Sequence, residues 1–116
     1  MLNPGDGRGE ASEMSRGRLT GIDIRFLPQG TEVVVDTRNS RYRLVVVDGI
    51  VRDARVEGGR HFPQETTARI EGSSLPGSLL KIGWIGLGLP LEVSLGYRRI
   101  VTSAVRSIRV DGSTYC

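Results

Sequence analysis

From residue 30 onward, apolar side chains come in short runs that alternate with polar ones. Breaks of Gly, Pro, Asp or Asn separate the runs, and no stretch keeps a 3.6-residue period over three turns. The runs are Glu32–Thr37, Arg41–Val47, Ile50–Glu57, Thr66–Glu71, Leu79–Ile85, Leu91–Leu95, Ile100–Ser103 and Val105–Val110. Leu19–Leu27 is ambiguous: Ile22, Ile24 and Phe26 alternate as a strand would, but the piece is short. The pattern predicts an all-β domain, a small antiparallel β-barrel or strongly bent sandwich of about seven short strands.

One hairpin can be read in register. Asp48-Gly49 is a turn signal, and a three-residue loop Val47-Asp48-Gly49 with Gly49 in the left-handed conformation sorts the faces best. It pairs Val46 with Ile50, Leu44 with Arg52 and Tyr42 with Ala54, and sets Arg43 opposite Asp53 as an ion pair. A second hairpin spans Leu91–Thr102. Its expected four-residue tip, Gly96-Tyr97-Arg98-Arg99, presents Tyr97, Arg98 and Arg99 to solvent.

Residues 1–18 hold four glycines, one proline, six charges and almost no large apolar side chain. They cannot bury a core, so a disordered tail is expected before a single β domain over 19–116. Met14 offers an alternative start. The tail lacks an apolar run of signal-peptide length. The longest apolar stretch, Leu79–Leu95, is interrupted by Lys81, Pro90, Glu92 and three glycines, so no membrane span is expected and a cytoplasmic protein is. His61 and the terminal Cys116 are too few for a zinc site of the common kind, and neither a metal nor another cofactor is implied.

The formal charge of +3 is unevenly placed. Residues 1–97 balance acids and bases, while residues 98–116 carry Arg98, Arg99, Arg106 and Arg109 against Asp111 alone. Only Lys81 is lysine among 16 basic residues. That excess of arginine reads as the codon bias of a GC-rich genome rather than selection for phosphate.

Candidate chemistry is sparse. His61, in Gly58-Gly59-Arg60-His61-Phe62-Pro63, is the one side chain suited to general base catalysis. Ser73, Ser74 or Ser103 with Glu57 or Asp53 would complete a triad, but no nucleophile-elbow spacing supports one. Gly83-Trp84-Ile85-Gly86-Leu87-Gly88 reverses the dinucleotide fingerprint, with no helix after it, and fits strand bends better. Trp84, Ile85 and Leu87 are then core, or an apolar ridge at a subunit contact. Gly72-Ser73-Ser74, Gly77-Ser78 and Thr102-Ser103 read as turn chemistry before anion loops. Tyr97 beside Arg98 and Arg99 is the best base-stacking candidate; Arg60 and His61 are weaker binding candidates.

Asn39-Ser40-x-Tyr42-x-Leu44, Gly58-Gly59-Arg60-His61-Phe62, Gly72-Ser73-Ser74 and Ile100-Val101-Thr102-Ser103-x-Val105 together resemble a small uncharacterised bacterial domain, over about residues 30–112. The resemblance implies a compact all-β domain and no particular activity. The leading expectation is a non-catalytic binding or assembly module for a protein partner or a second copy of itself. The alternatives are nucleic-acid binding through the C-terminal arginines and, third, a hydrolase centred on His61.

Overall fold

Alternation decides the first sheet positions. In β2 (Glu32–Thr37), Val33, Val35 and Thr37 are buried while Glu32, Val34 and Asp36 are half-exposed. β3 (Arg41–Asp48) buries Tyr42, Leu44 and Val46, and β4 (Asp53–Gly58) buries Ala54 and Val56. The computed structural model describes residues 20–115; the expected tail over 1–18 lies outside the described residues, as does Cys116. The remaining elements are β1 (Gly21–Asp23), a 3-10 turn (Ile24–Phe26), β5 (Phe62–Leu75), β6 (Leu79–Ile82), β7 (Trp84–Gly86), β8 (Pro90–Leu95), β9 (Arg98–Val110) and β10 (Ser113–Tyr115). The fold is all-β, every pairing is antiparallel, and the described residues contain no α-helix.

Two long strands organise the main sheet. β9 pairs β8 along its first part and β2 along its last, and β5 pairs β4 first and then β6 and β8. The pairings therefore run β2–β3–β4–β5–β8–β9 and return to β2. Phe62, Leu44, Ile70, Leu91 and Ile108 fill the space inside with essentially no exposure. β1 and β7 form a separate two-stranded sheet, and Ile85 of β7 and Ile24 of the 3-10 turn join the same core.

Several expectations are corrected by these pairings. Within the ambiguous stretch, Gly21–Asp23 is strand and Ile24–Phe26 a 3-10 turn, because the Asp23 carboxylate caps Arg25 N–H and turns the chain; Leu19 lies outside the described residues. The first hairpin pairs Leu44 with Val56 and Val46 with Ala54, four positions away from the expected partners. An even shift preserves which side chains face inward, so the alternation is right and the register wrong. Val47 bulges out, Gly49–Arg52 form the loop, and Arg52, not Gly49, takes the left-handed conformation at φ 66°. Gly49 is needed for another reason: a Cβ there would sit 2.6 Å from the Ile24 carbonyl oxygen of the turn packed over it. Ile50, expected inside, is exposed. Arg43 lies opposite Glu57 and pairs with Glu32 and Glu65, while Asp53 lies near Arg69.

Arg52 also anchors its loop. Its guanidinium donates to the Ile70 carbonyl (3.0 Å) and meets the Glu71 carboxylate at 3.3 Å, both side chains being mostly buried. Burial alone would raise the Glu71 carboxyl, but the Ser94 hydroxyl, Arg99 and Arg52 outweigh it and hold it below its ordinary value. Hydrogen bonds from Arg25 to Asp23 and from Arg41 to Asp36 lower those carboxyls too. Carboxyls lowered in the folded state stabilise it fully above the ordinary range, about pH 4.5, and less as pH falls through their folded values. Chemical denaturation midpoints should therefore hold steady from neutral pH to about 5 and drop below about 4. Glu71→Gln should flatten that drop and cost about 1–2 kcal/mol at pH 7. An unchanged acid limb in the variant would remove Glu71 from the explanation.

Candidate functional site

Three segments that are far apart in sequence meet at one end of the sheet. The β2–β3 turn supplies Asn39 and Ser40, the β4–β5 turn supplies Arg60 and His61, and β9 supplies Val101, Thr102 and Ser103. With Tyr42 beneath, they line a recess of about 420 Å³, within the range of small-ligand sites. Backbone contacts hold the walls. Arg38 N–H donates to the Ala104 carbonyl (3.0 Å), and Asn39 N–H donates to Ser103 Oγ (3.1 Å), fixing the β2–β3 turn against β9.

The second wall depends on a tight turn. Gly58 pairs both Tyr42 and Phe62 at φ 133°, and a Cβ there would lie 2.0 Å from the Arg41 carbonyl oxygen. The turn over residues 59–61 thus lifts Arg60 and His61 to the surface while Phe62, fully buried, pins its base. Across the gap, Arg98 Nη2 lies 3.2 Å from His61 Nδ1. A guanidinium only donates, so Nδ1 accepts and the proton of the neutral ring sits on Nε2. Among the described residues, no carboxylate or hydroxyl hydrogen-bonds His61, and none of the residues lining the recess is acidic.

Charge compensation separates the arginines. Arg25, Arg41, Arg43, Arg52, Arg55, Arg69 and Arg99 each have a carboxylate within 4 Å. Arg38, Arg60, Arg98 and Arg106 have none among the described residues and are exposed. Arg60 lines the recess, Arg98 touches its His61, and Arg38 adjoins its Asn39. Arg106 occupies a bulge between the Thr37–Val105 and Asp36–Ser107 pairs, beside the same turn.

The expected C-terminal patch is therefore not one surface. Arg99 is bound to Glu92 and Ser94, and Arg109 is half-buried in the field of Asp36. The second hairpin has a two-residue loop, Gly96-Tyr97, since Leu95 pairs Arg98. Gly96 at φ 60° suits the first loop position, so Tyr97 alone stands at the tip, fully exposed, and both arginines belong to the strand. The apolar ridge also folds inward. Ile85 is fully buried, Leu87 packs against the core, and Trp84 is half-buried beneath Lys81, whose ammonium lies 5.1 Å from the ring centre.

The candidate serines have structural partners. Ser73 is fully buried, donating to the Trp84 carbonyl and accepting from Gly86 N–H, so it joins β5 to β7. Ser74 bonds Glu92, and both serines lie within strand β5 rather than in a loop. Among the described residues, no three His, Cys, Asp or Glu side chains gather as metal ligands would. No helix among them is long and apolar enough to cross a membrane.

Asn39 and Ser40 were not legible as site residues, and Ser103 was weighed only as a triad serine and as turn chemistry, because the contact joining their segments spans 64 positions. The available signal was the polar turn Arg38-Asn39-Ser40 between two apolar runs. Comparison with known proteins adds no relative: no family model, no curated protein and no solved structure matches the chain.

Proposed function

We propose that the protein is a non-catalytic binding module, a small β-barrel closed by the β2–β9 seam, whose recess at His61 holds an anionic ligand. The observation that carries this reading is the gathering of arginines uncompensated among the described residues at a recess without an acidic lining, where most of the other described arginines are paired. The side-chain amide of Asn39 and the hydroxyls of Ser40 and Ser103 suit an oxyanion in the same space. His61 supports binding over catalysis, since its Nδ1 lone pair is engaged by Arg98. The inward packing of Ile85 moves weight away from a partner contact through Trp84, Ile85 and Leu87.

The test is an amide NMR titration with inorganic phosphate. Saturable shifts should cluster at Asn39, Arg60, His61 and Ser103, and Arg98→Ala should weaken them about tenfold, a loss of about 1.4 kcal/mol. Shifts that scatter over the surface without saturating would overturn the reading.

A further inference from the structure

Resting on that reading, we infer that the anion is a single-stranded nucleic acid running along β9, with the recess taking one nucleotide of the strand. The spacing of the free cations points to a chain of charges. From Arg98 to Arg106 the strand advances eight residues, about 26 Å of path. One phosphate accepts hydrogen bonds only within about 3 Å, so it engages Arg60 and Arg98 or Arg38 and Arg106, not both pairs. A ligand with repeated charges satisfies all four.

The groups between and beyond the cations fit nucleobases. Tyr97, at the hairpin tip one residue before Arg98, is fully exposed and has no protein surface to cover it. The exposed His61 ring and Val101, 54% exposed, lie on the same course. Base stacking on exposed rings, combined with a cationic track, is how single strands are held without sequence readout. An acidic peptide would meet the arginines equally well but leaves Tyr97 without a role. A duplex is disfavoured by shape: its base edges are reached by protein elements that protrude into a groove, and here the cations surround a hollow.

Arg99 and Arg109 are left out of the track, the first held by Glu92 and the second facing Asp36. The track instead uses Arg38 and Arg60, brought to β9 by the two turns.

Fluorescence anisotropy with labelled oligothymidylates of about two and about twelve nucleotides tests the proposal on the full chain. Affinity should rise at least about tenfold with length, and for the longer strand fall with salt at a log–log slope of about −2 to −3, as four phosphate contacts on a single strand require. Tyr97→Ala and Arg106→Ala should each weaken the longer strand about tenfold. Both side chains are solvent-exposed, and inorganic phosphate binding, read by NMR as above, should stay unchanged in Tyr97→Ala, whose side chain lies outside the recess. If phosphate binds at the recess but the longer strand binds no tighter than the shorter, the nucleic-acid inference falls and the anion site stands. If neither phosphate nor oligonucleotide binds, both fall. A polyglutamate peptide bound as tightly as the oligonucleotide and insensitive to Tyr97→Ala, or a duplex of equal length bound more tightly, would also overturn it.

Discussion

Gly58→Ala should lower the melting temperature by about 12–24 °C or prevent folding altogether. Two costs combine. At φ 133° a side chain is strained by about 1–3 kcal/mol, and the new Cβ would lie 2.0 Å from the Arg41 carbonyl oxygen and 2.9 Å from Tyr42 Cα. Both obstacles are backbone of the neighbouring strand, so no rotamer change relieves them. A total of at least about 3 kcal/mol follows, and each kcal/mol is worth about 4–8 °C in a domain of this size. Gly77→Ala is the matched control. Its φ of 82° is also positive, but nothing lies within 4 Å of the added methyl, so only the backbone cost of about 1 kcal/mol remains. Calorimetry on the two variants separates the terms. Equal, small shifts for both would mean that β3 and β4 do not approach as closely as described.

Phe62→Ala should cost about 3–5 kcal/mol, a large part of the 5–15 kcal/mol that holds a typical domain together. Phe62 is fully buried and begins β5 opposite Gly58, directly after His61. Its removal leaves a cavity at the base of the turn that carries Arg60 and His61. Phosphate binding should therefore weaken even at temperatures where the variant remains folded. Phe62→Leu, which keeps most of the volume, should cost less than about 1.5 kcal/mol and retain binding. Urea midpoints with an unchanged slope would give the stability difference directly. A loss below about 1 kcal/mol for Phe62→Ala would show that the core does not depend on the ring.

The face assignments of β3 and β4 were legible because each strand has one buried and one solvated face, and Leu44 and Val56 mark the buried one. β5 was harder to delimit. Its exposed stretch Pro63-Gln64-Glu65 looks like a loop, and the strand continues through Gly72 and Ser73, which sit inside rather than in a turn. β9 was read as two runs, Ile100–Ser103 and Val105–Val110, because the inward alternation of Ile100 and Thr102 skips Ala104 and resumes at Val105. The expected hairpin register turned on loop length, and the three-residue loop paired Ile50 with Val46 and Arg52 with Leu44, where the structure leaves both in the loop. There Arg52 meets the Glu71 carboxylate and the Ile70 carbonyl, which a local reading of the turn does not contain. At the site, Arg60, His61 and Arg98 were picked out by residue type alone. Their meeting depends on β4–β5 and β8–β9 turns folding toward the same end, and local patterning carries no such information.

The β2–β9 seam has a consequence for how the chain reaches this state. Asp36 accepts from the Ser107 hydroxyl across 71 positions, and Val33 pairs Val110. Contacts of such sequence separation belong to topologies that fold in about milliseconds to seconds, not microseconds. On the ribosome, β2 can pair β3 early, yet its other edge has no partner until the segment ending at Val110 has emerged. Through most of synthesis one side of β2 is an open strand edge with Val33 and Val35 beside it, the kind of surface that other chains can join. Speed of elongation, and whatever shields that edge meanwhile, would then govern yield more than final stability does.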